Sequence, residues 1–185
     1  VGGTNNAINI ADVAGTGSFH IRRSAITGNV YGVWLNGAIA ATASFKISGG
    51  TVIAAGTFYG IHFIGAVDGP VTLSDSKISS VSLAAIRFAS DISSKVALLN
   101  ADLTGGGSGN AITVQGTLEA GAELSVAGGS LVGGNAGVDL RGPVDAGAEF
   151  SVQGATVAGA AASALLFSAA SFAGRLTVVG STLTS

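Results

Sequence analysis

Among its 185 residues the chain has no cysteine and no methionine. Without thiols it has no disulfide staple, no thiolate metal site and no cysteine nucleophile. Charge is scarce as well. Asp, Glu, Lys and Arg make up 10% of the residues, and the formal net charge is -2 with a pI near 5.5. The eight Lys and Arg residues are scattered, apart from Arg22-Arg23, so nothing forms the basic stripe that nucleic acid or an anionic membrane surface needs. Long hydrophobic runs are also missing. The longest, around Ala160 to Ala170, is alanine-rich, carries Ser163 and Ser168, and is too short to span a bilayer. The opening residues Val1-Gly2-Gly3-Thr4 lack the pattern of a signal peptide, and the chain reads as a processed or excised portion of a longer polypeptide.

What is present is glycine, 30 residues of it, alongside 48% hydrophobic residues. Val, Ile, Leu and Phe run along the whole length, which separates the chain from a glycine-rich linker by supplying apolar surface to offset backbone ordering. The length fits a single domain, 1–185, with a substantial core.

A nine-residue unit recurs through that domain. It reads FHIRRSAIT from Phe19, FKISGGTVI from Phe45, VTLSDSKIS from Val71 and VALLNADLT from Val96, then LSVAGGSLV from Leu124, FSVQGATVA from Phe150 and LTVVGSTLT from Leu176. The start-to-start steps are 26, 26, 25, 28, 26 and 26 residues. Apolar residues hold the first, third and eighth places, and the first two are spaced at the strand period. The fifth place reads Arg23, Gly49, Asp75, Asn100, Gly128, Gly154, Gly180. Gly, Asn and Asp tolerate left-handed backbone angles, so a sharp bend between two short strands is expected there.

A third strand lies between the units, with the pattern small, apolar, any, apolar. It runs from Ala7-Ile8-Asn9-Ile10 and Gly32-Val33-Trp34-Leu35 to Gly137-Val138-Asp139-Leu140 and Ala164-Leu165-Leu166-Phe167. Three strands in each turn of about 26 residues predict a right-handed parallel β-helix of about seven coils, stacked at ~4.8 Å into a rod ~34 Å long. Length varies at the corners, as in Thr104-Gly105-Gly106-Gly107-Ser108-Gly109. Two coils are near copies, Ala120-Gly-Ala-Glu-Leu-Ser-Val and Ala146-Gly-Ala-Glu-Phe-Ser-Val, as internal duplication would leave them. Neither end carries a cap in its sequence, and a bare coil edge invites pairing with another chain.

Units such as YGIHFIG followed by VTLSDSKIS resemble the pectate-lyase-like parallel β-helix superfamily. The glycine- and alanine-rich, cysteine-free character is most similar to passenger domains of bacterial autotransporters and to β-helical adhesins. The resemblance covers essentially the whole chain and implies the fold. One scaffold hosts lyases, hydrolases, adhesins and inert stalks, so function rests on the site.

The outward position of the inter-unit strand forms a column: Asn9, Trp34, His62, Arg87, Thr113, Asp139, Leu166. In carbohydrate-active members of the superfamily a substrate groove often follows this face. Trp34 is suited to stack on a sugar ring, Arg87 and Arg141 to hold a carboxylate, and Asp139 or His62 to move protons. The plainer reading, a solvated face with ordinary polar residues and Trp34 exposed on it, is favoured. Neighbouring column positions do not offer the paired carboxylates of a glycosidase or of a calcium site. Asp68, Asp91 and Asp145 fall in corner segments, and His20 and His62 lie on different faces, so no triad is favoured. The Gly105–Gly109 loop lacks the Lys-Ser/Thr and following helix of a phosphate cradle. The other outward column, His20, Lys46, Thr72, Ala97, Ser125, Ser151, Thr177, has too few threonines for an ice-binding face.

The expectation is therefore a non-catalytic scaffold, adhesin or passenger-like spacer, extracellular or at a cell surface, with no metal and no cofactor. Its expected partners are surface glycans or host or neighbouring proteins. The alternatives are a polysaccharide-binding or polysaccharide-cleaving β-helix using the Trp34–Asp139 face, and a structural subunit that self-associates end to end into a filament.

Overall fold

The computed structural model describes residues 5–169 and 171–185. The opening Val1–Thr4 segment, and Ala170 within the alanine-rich run, lie outside the described residues. The chain forms a parallel β-solenoid of seven coils, and no described residue is helical. Each coil gives one strand to each of three seven-stranded sheets, and the sheets run unbroken from one end of the stack to the other.

The inter-unit strands make the first sheet: Ile8–Ile10, Val33–Leu35, Ile61–Phe63, Ile86–Phe88, Ile112–Val114, Val138–Leu140 and Leu165–Phe167. All pairings in it are parallel and in register, so Asn9, Trp34, His62, Arg87, Thr113, Asp139 and Leu166 stand in one line along the axis. The repeat units make the other two sheets, from Ser18–Arg22 to Arg175–Val179 and from Ala25–Gly28 to Thr182–Thr184. A one-residue slip in any sheet would turn its apolar column outward, which is what fixes the register.

The bend between the unit's two strands is left-handed at every coil. Gly49, Gly128, Gly154 and Gly180 have φ of 70°, 69°, 59° and 58°, and Asp75 and Asn100 have 48° and 51°. Arg23 adopts φ 51° as well, although its side chain brings a steric penalty of roughly 1–2 kcal/mol in that region. The coil geometry overrides the local preference.

Inside, side chains stack on their counterparts in the next coil. Phe63 lies parallel to Phe88 at 4.8 Å and edge-on to Phe45 at 5.4 Å, and all three are fully buried. The structure adds a fourth inward column that strand periodicity does not reveal. Val13, Ile39, Val67, Ile92, Leu118, Val144 and Phe172 are joined by single parallel bridges, one residue per coil, and close the corner between the first two sheets. In the last coil the inward-column residues Leu176, Val178 and Leu183 are open to solvent.

The small residue that opens each inter-unit strand has a steric cause. A Cβ on Gly60 would sit 2.6 Å from Ile78 Cγ2 and 2.7 Å from the Ala85 carbonyl oxygen, closer than real Cβ contacts come. Here the chain turns from the third sheet into the first, against the side chain of the next coil.

Candidate functional site

From Trp34 to Asp139 the outward column of the first sheet is not a solvated face. His62, Thr113 and Asp139 are buried, and Trp34 and Arg87 are partly so. This corrects the expectation of an exposed face with Trp34 open on it. The cause is local. The residue three places before each outward position stands at the end of the corner, and in several coils its side chain folds back over the sheet. Tyr31 stacks on Trp34 at 5.6 Å, Tyr59 covers His62 at 4.7 Å, and Asn110 donates to Thr113 Oγ1 at 3.0 Å. Tyr31 also reaches the next coil, stacking on His62 at 5.5 Å and on Phe58 at 5.5 Å.

The five sequence candidates thus fall into two groups, four of them on one line and Arg141 just past the end of its strand. Trp34 and His62 belong to an aromatic end with Tyr31, Phe58 and Tyr59. Both nitrogens of His62, and Nε1 of Trp34, are buried without a hydrogen-bond partner. Burial, reinforced by the neighbouring Arg87 charge, pushes the His62 pKa down from 6.5 to about 4, so the ring is neutral at pH 7. Burial and the nearby Tyr59 also raise the Tyr31 phenol, against a smaller opposing pull from Arg87.

Arg87, Asp139 and Arg141 form the polar end. Arg87 donates through Nη1 to the Tyr59 hydroxyl at 2.7 Å and through Nη2 to Gln115 Oε1, and its guanidinium lies 5.0 Å from the Tyr59 ring centre. Asp139 accepts from Arg141 Nε at 2.6 Å, from Asn110 Nδ2 at 3.2 Å and from Ser168 Oγ at 3.0 Å. Those donors come from three consecutive coils. Between Arg87 and Arg141 a pocket of about 100 Å³ opens, with Asn110, Thr113 and Gln115 in its wall and Tyr59 at its rim. The glycine-rich corner, read from sequence as a plain loop, forms one side of it through Ser108 and Gly109. A Cβ on Gly109 would lie 2.1 Å from the Leu83 carbonyl, so glycine lets the two corners touch.

Sequence reasoning missed Tyr31, Tyr59, Asn110 and Gln115. The signal was there: Tyr31-Gly32-Val33-Trp34 and Tyr59-Gly60-Ile61-His62 repeat one spacing, with the aromatic just before the small residue.

Other chemistry finds less support. Among the described residues no three His, Asp or Glu side chains gather as a metal site. Asp68 accepts from Ser93 Oγ at 2.7 Å, and Asp91 accepts from the Thr117 backbone N–H at 2.6 Å; both tie one corner to the next. His20 Nε2 lies 2.8 Å from Ser48 Oγ on the exposed face of the second sheet, but no carboxylate among the described residues bonds to its other nitrogen. Among the described residues no helix is long and apolar enough to cross a membrane. No family model matches the chain, and neither a curated protein nor a solved structure matches it.

Proposed function

We propose that this chain is a non-catalytic β-solenoid scaffold of an extracellular or cell-surface protein, of the kind found in autotransporter passengers and β-helical adhesins of the pectate-lyase-like superfamily. The observation that carries this reading is how the groups suited to proton transfer are committed. Asp139 is buried and its carboxylate oxygens are engaged by three donors, one of them a guanidinium. His62 is neutral and roofed by two tyrosines. A general acid or base needs a free path to the proton it moves. Here those groups tie coil to coil instead.

The three unbroken sheets support the same reading, since a solenoid of this kind is a stiff spacer whose faces and corners are available to partners. Surface glycans and neighbouring proteins are the partners this reading assigns to it. The test is incubation with a panel of neutral and acidic polysaccharides, following new reducing ends and unsaturated products. The expected result is no product above the blank. Product formation that Asp139→Ala abolishes overturns the reading.

A further inference from the structure

The pocket between Arg87 and Arg141 has an unusual balance of donors and acceptors. The acceptor oxygens of its side-chain amides are already taken. Gln115 Oε1 accepts from Arg87, and Asn110 Oδ1 accepts from the Ala136 backbone N–H at 2.9 Å and from Asn135 Nδ2 at 3.1 Å. Asp139, behind the wall, accepts three bonds. Several of its donors are not taken. Arg141 uses only Nε, so both of its Nη groups are without a partner among the described residues. The Nε of Arg87 is buried and unpartnered. Thr113 Oγ1 accepts from Asn110 while its own proton has no acceptor, and Gln115, oriented by Arg87, has its Nε2 left over.

Charge points the same way. Two guanidinium groups face this pocket, and the one carboxylate nearby, Asp139, neutralises only one of them. The wall is built rather than incidental, because Asn110 and Thr113 are 2% and 5% exposed and fixed to one another. A space of about 100 Å³ has room for several waters, and so for a carboxylate group.

We infer that this pocket is a carboxylate-binding site, in which Arg87, Arg141, Thr113 and Gln115 donate to a single carboxylate while the rest of the ligand stays outside, beside Tyr59. The forked guanidinium suits a planar anion with two acceptor oxygens. The site is separate from the scaffold reading, because binding here requires no chemistry and no product. The carboxylate belongs either to a free small acid or to an acidic sugar, and the two sources share the same recognition.

The experiment is a nitrogen–proton NMR titration of the full chain with acetate, glucuronate and glucose, following the Arg87 Nε–H and Gln115 side-chain amide signals. Acetate and glucuronate are expected to shift them saturably, and glucose to leave them in place. Tighter binding of glucuronate assigns the site to acidic sugars, and equal binding assigns it to small free acids. Gln115→Glu keeps the acceptor for Arg87 but places a carboxylate in the pocket, and should weaken binding by roughly tenfold or more. Thr113→Val, nearly the same shape, removes one donor and should weaken it by roughly threefold to tenfold. Unchanged thermal unfolding in either variant establishes that the fold is intact. No shift with either acid at high-millimolar concentration, an equal shift with glucose, or unaltered affinity in both variants overturns the inference.

Discussion

Replacing Asp139 separates two roles that its carboxylate plays, charge and hydrogen-bond acceptance. In Asp139→Asn the amide oxygen can take the place of Oδ2 and keep the bonds from Asn110 and Arg141. The amide nitrogen then faces Ser168 Oγ, a hydroxyl able to accept instead of donate. What disappears is the ion pair. The Arg141 side chain is 48% exposed and can be re-solvated, so the loss should be about 1 kcal/mol. Asp139→Val is nearly isosteric but removes all three acceptor interactions. Asn110 keeps one N–H on Thr113 but loses the acceptor of the other inside the wall, while Ser168 is exposed and can turn to solvent, so about 2–4 kcal/mol should be lost. For a chain of this length, 1 kcal/mol moves Tm by roughly 2–4 °C. Asn should therefore lower Tm by a few degrees and Val by ~10 °C, followed by circular dichroism of the β signal. Equal losses for the two variants would refute the acceptor argument, and two neutral variants would refute the role of Asp139 in joining coils.

The His62 environment predicts a pH response. Its folded pKa of about 4 lies below the ordinary 6.5, so between those values the unfolded chain holds a proton that the folded chain does not. Stability should therefore be full above pH 6.5 and fall as pH drops toward 4, by at most roughly 3 kcal/mol, and His62→Phe should flatten that slope in urea unfolding. Tyr31→Ala removes one roof from both Trp34 and His62; Trp34 emission should shift to longer wavelength and an NMR titration should show the His62 pKa moving back toward 6.5. Phe63→Ala takes a ring from between Phe45 and Phe88 and should cost about 3–5 kcal/mol in chemical unfolding. Arg23→Asn relieves a left-handed angle at a solvent-exposed side chain and should raise stability by about 0.5–1 kcal/mol, the opposite sign from most substitutions.

The solenoid was legible because its causes are periodic. Three strands per coil, the inward columns and the bend at the fifth place of each unit all follow from residues that recur at steps near 26. Arg23 shows the strength of that signal: a residue with no liking for positive φ adopts it because the coils above impose the path. The fourth column, from Val13 to Phe172, escaped notice because it contributes one residue per coil, and a single residue has no period-two neighbour. The burial of the candidate face escaped for another reason. Alternation says which way a strand residue points, but not whether a corner returns to cover it. That was decided by Tyr31, Tyr59 and Asn110; the two tyrosines share one spacing in adjacent coils, but the later coils place other residues there, so the pattern is too short to stand out as a repeat. Trp34, His62, Arg87 and Asp139 lie on the line the sequence placed them on, with Arg141 just beyond the end of its strand, yet most of their partners come from the corners.

That division bears on how the stack finds its order. The inward columns are nearly interchangeable between coils, and the coils around Glu123 and Glu149 are almost copies. If one coil were looped out and its neighbours joined, the apolar columns would still meet apolar residues, at little loss in transfer free energy. The covered face discriminates where the core does not. Asp139 takes its donors from the coil before, its own coil and the coil after, and Arg87 spans from Tyr59 to Gln115 in the same way. Skipping the Asp139 coil would set Thr113 opposite Leu166 and leave Asn110 and Ser168 without the carboxylate they share. A polar network satisfied in only one arrangement separates that arrangement from its near-degenerate neighbours, even where its net contribution to stability is small. The apolar columns make the stack stable, and the residues on the covered face make it one particular stack.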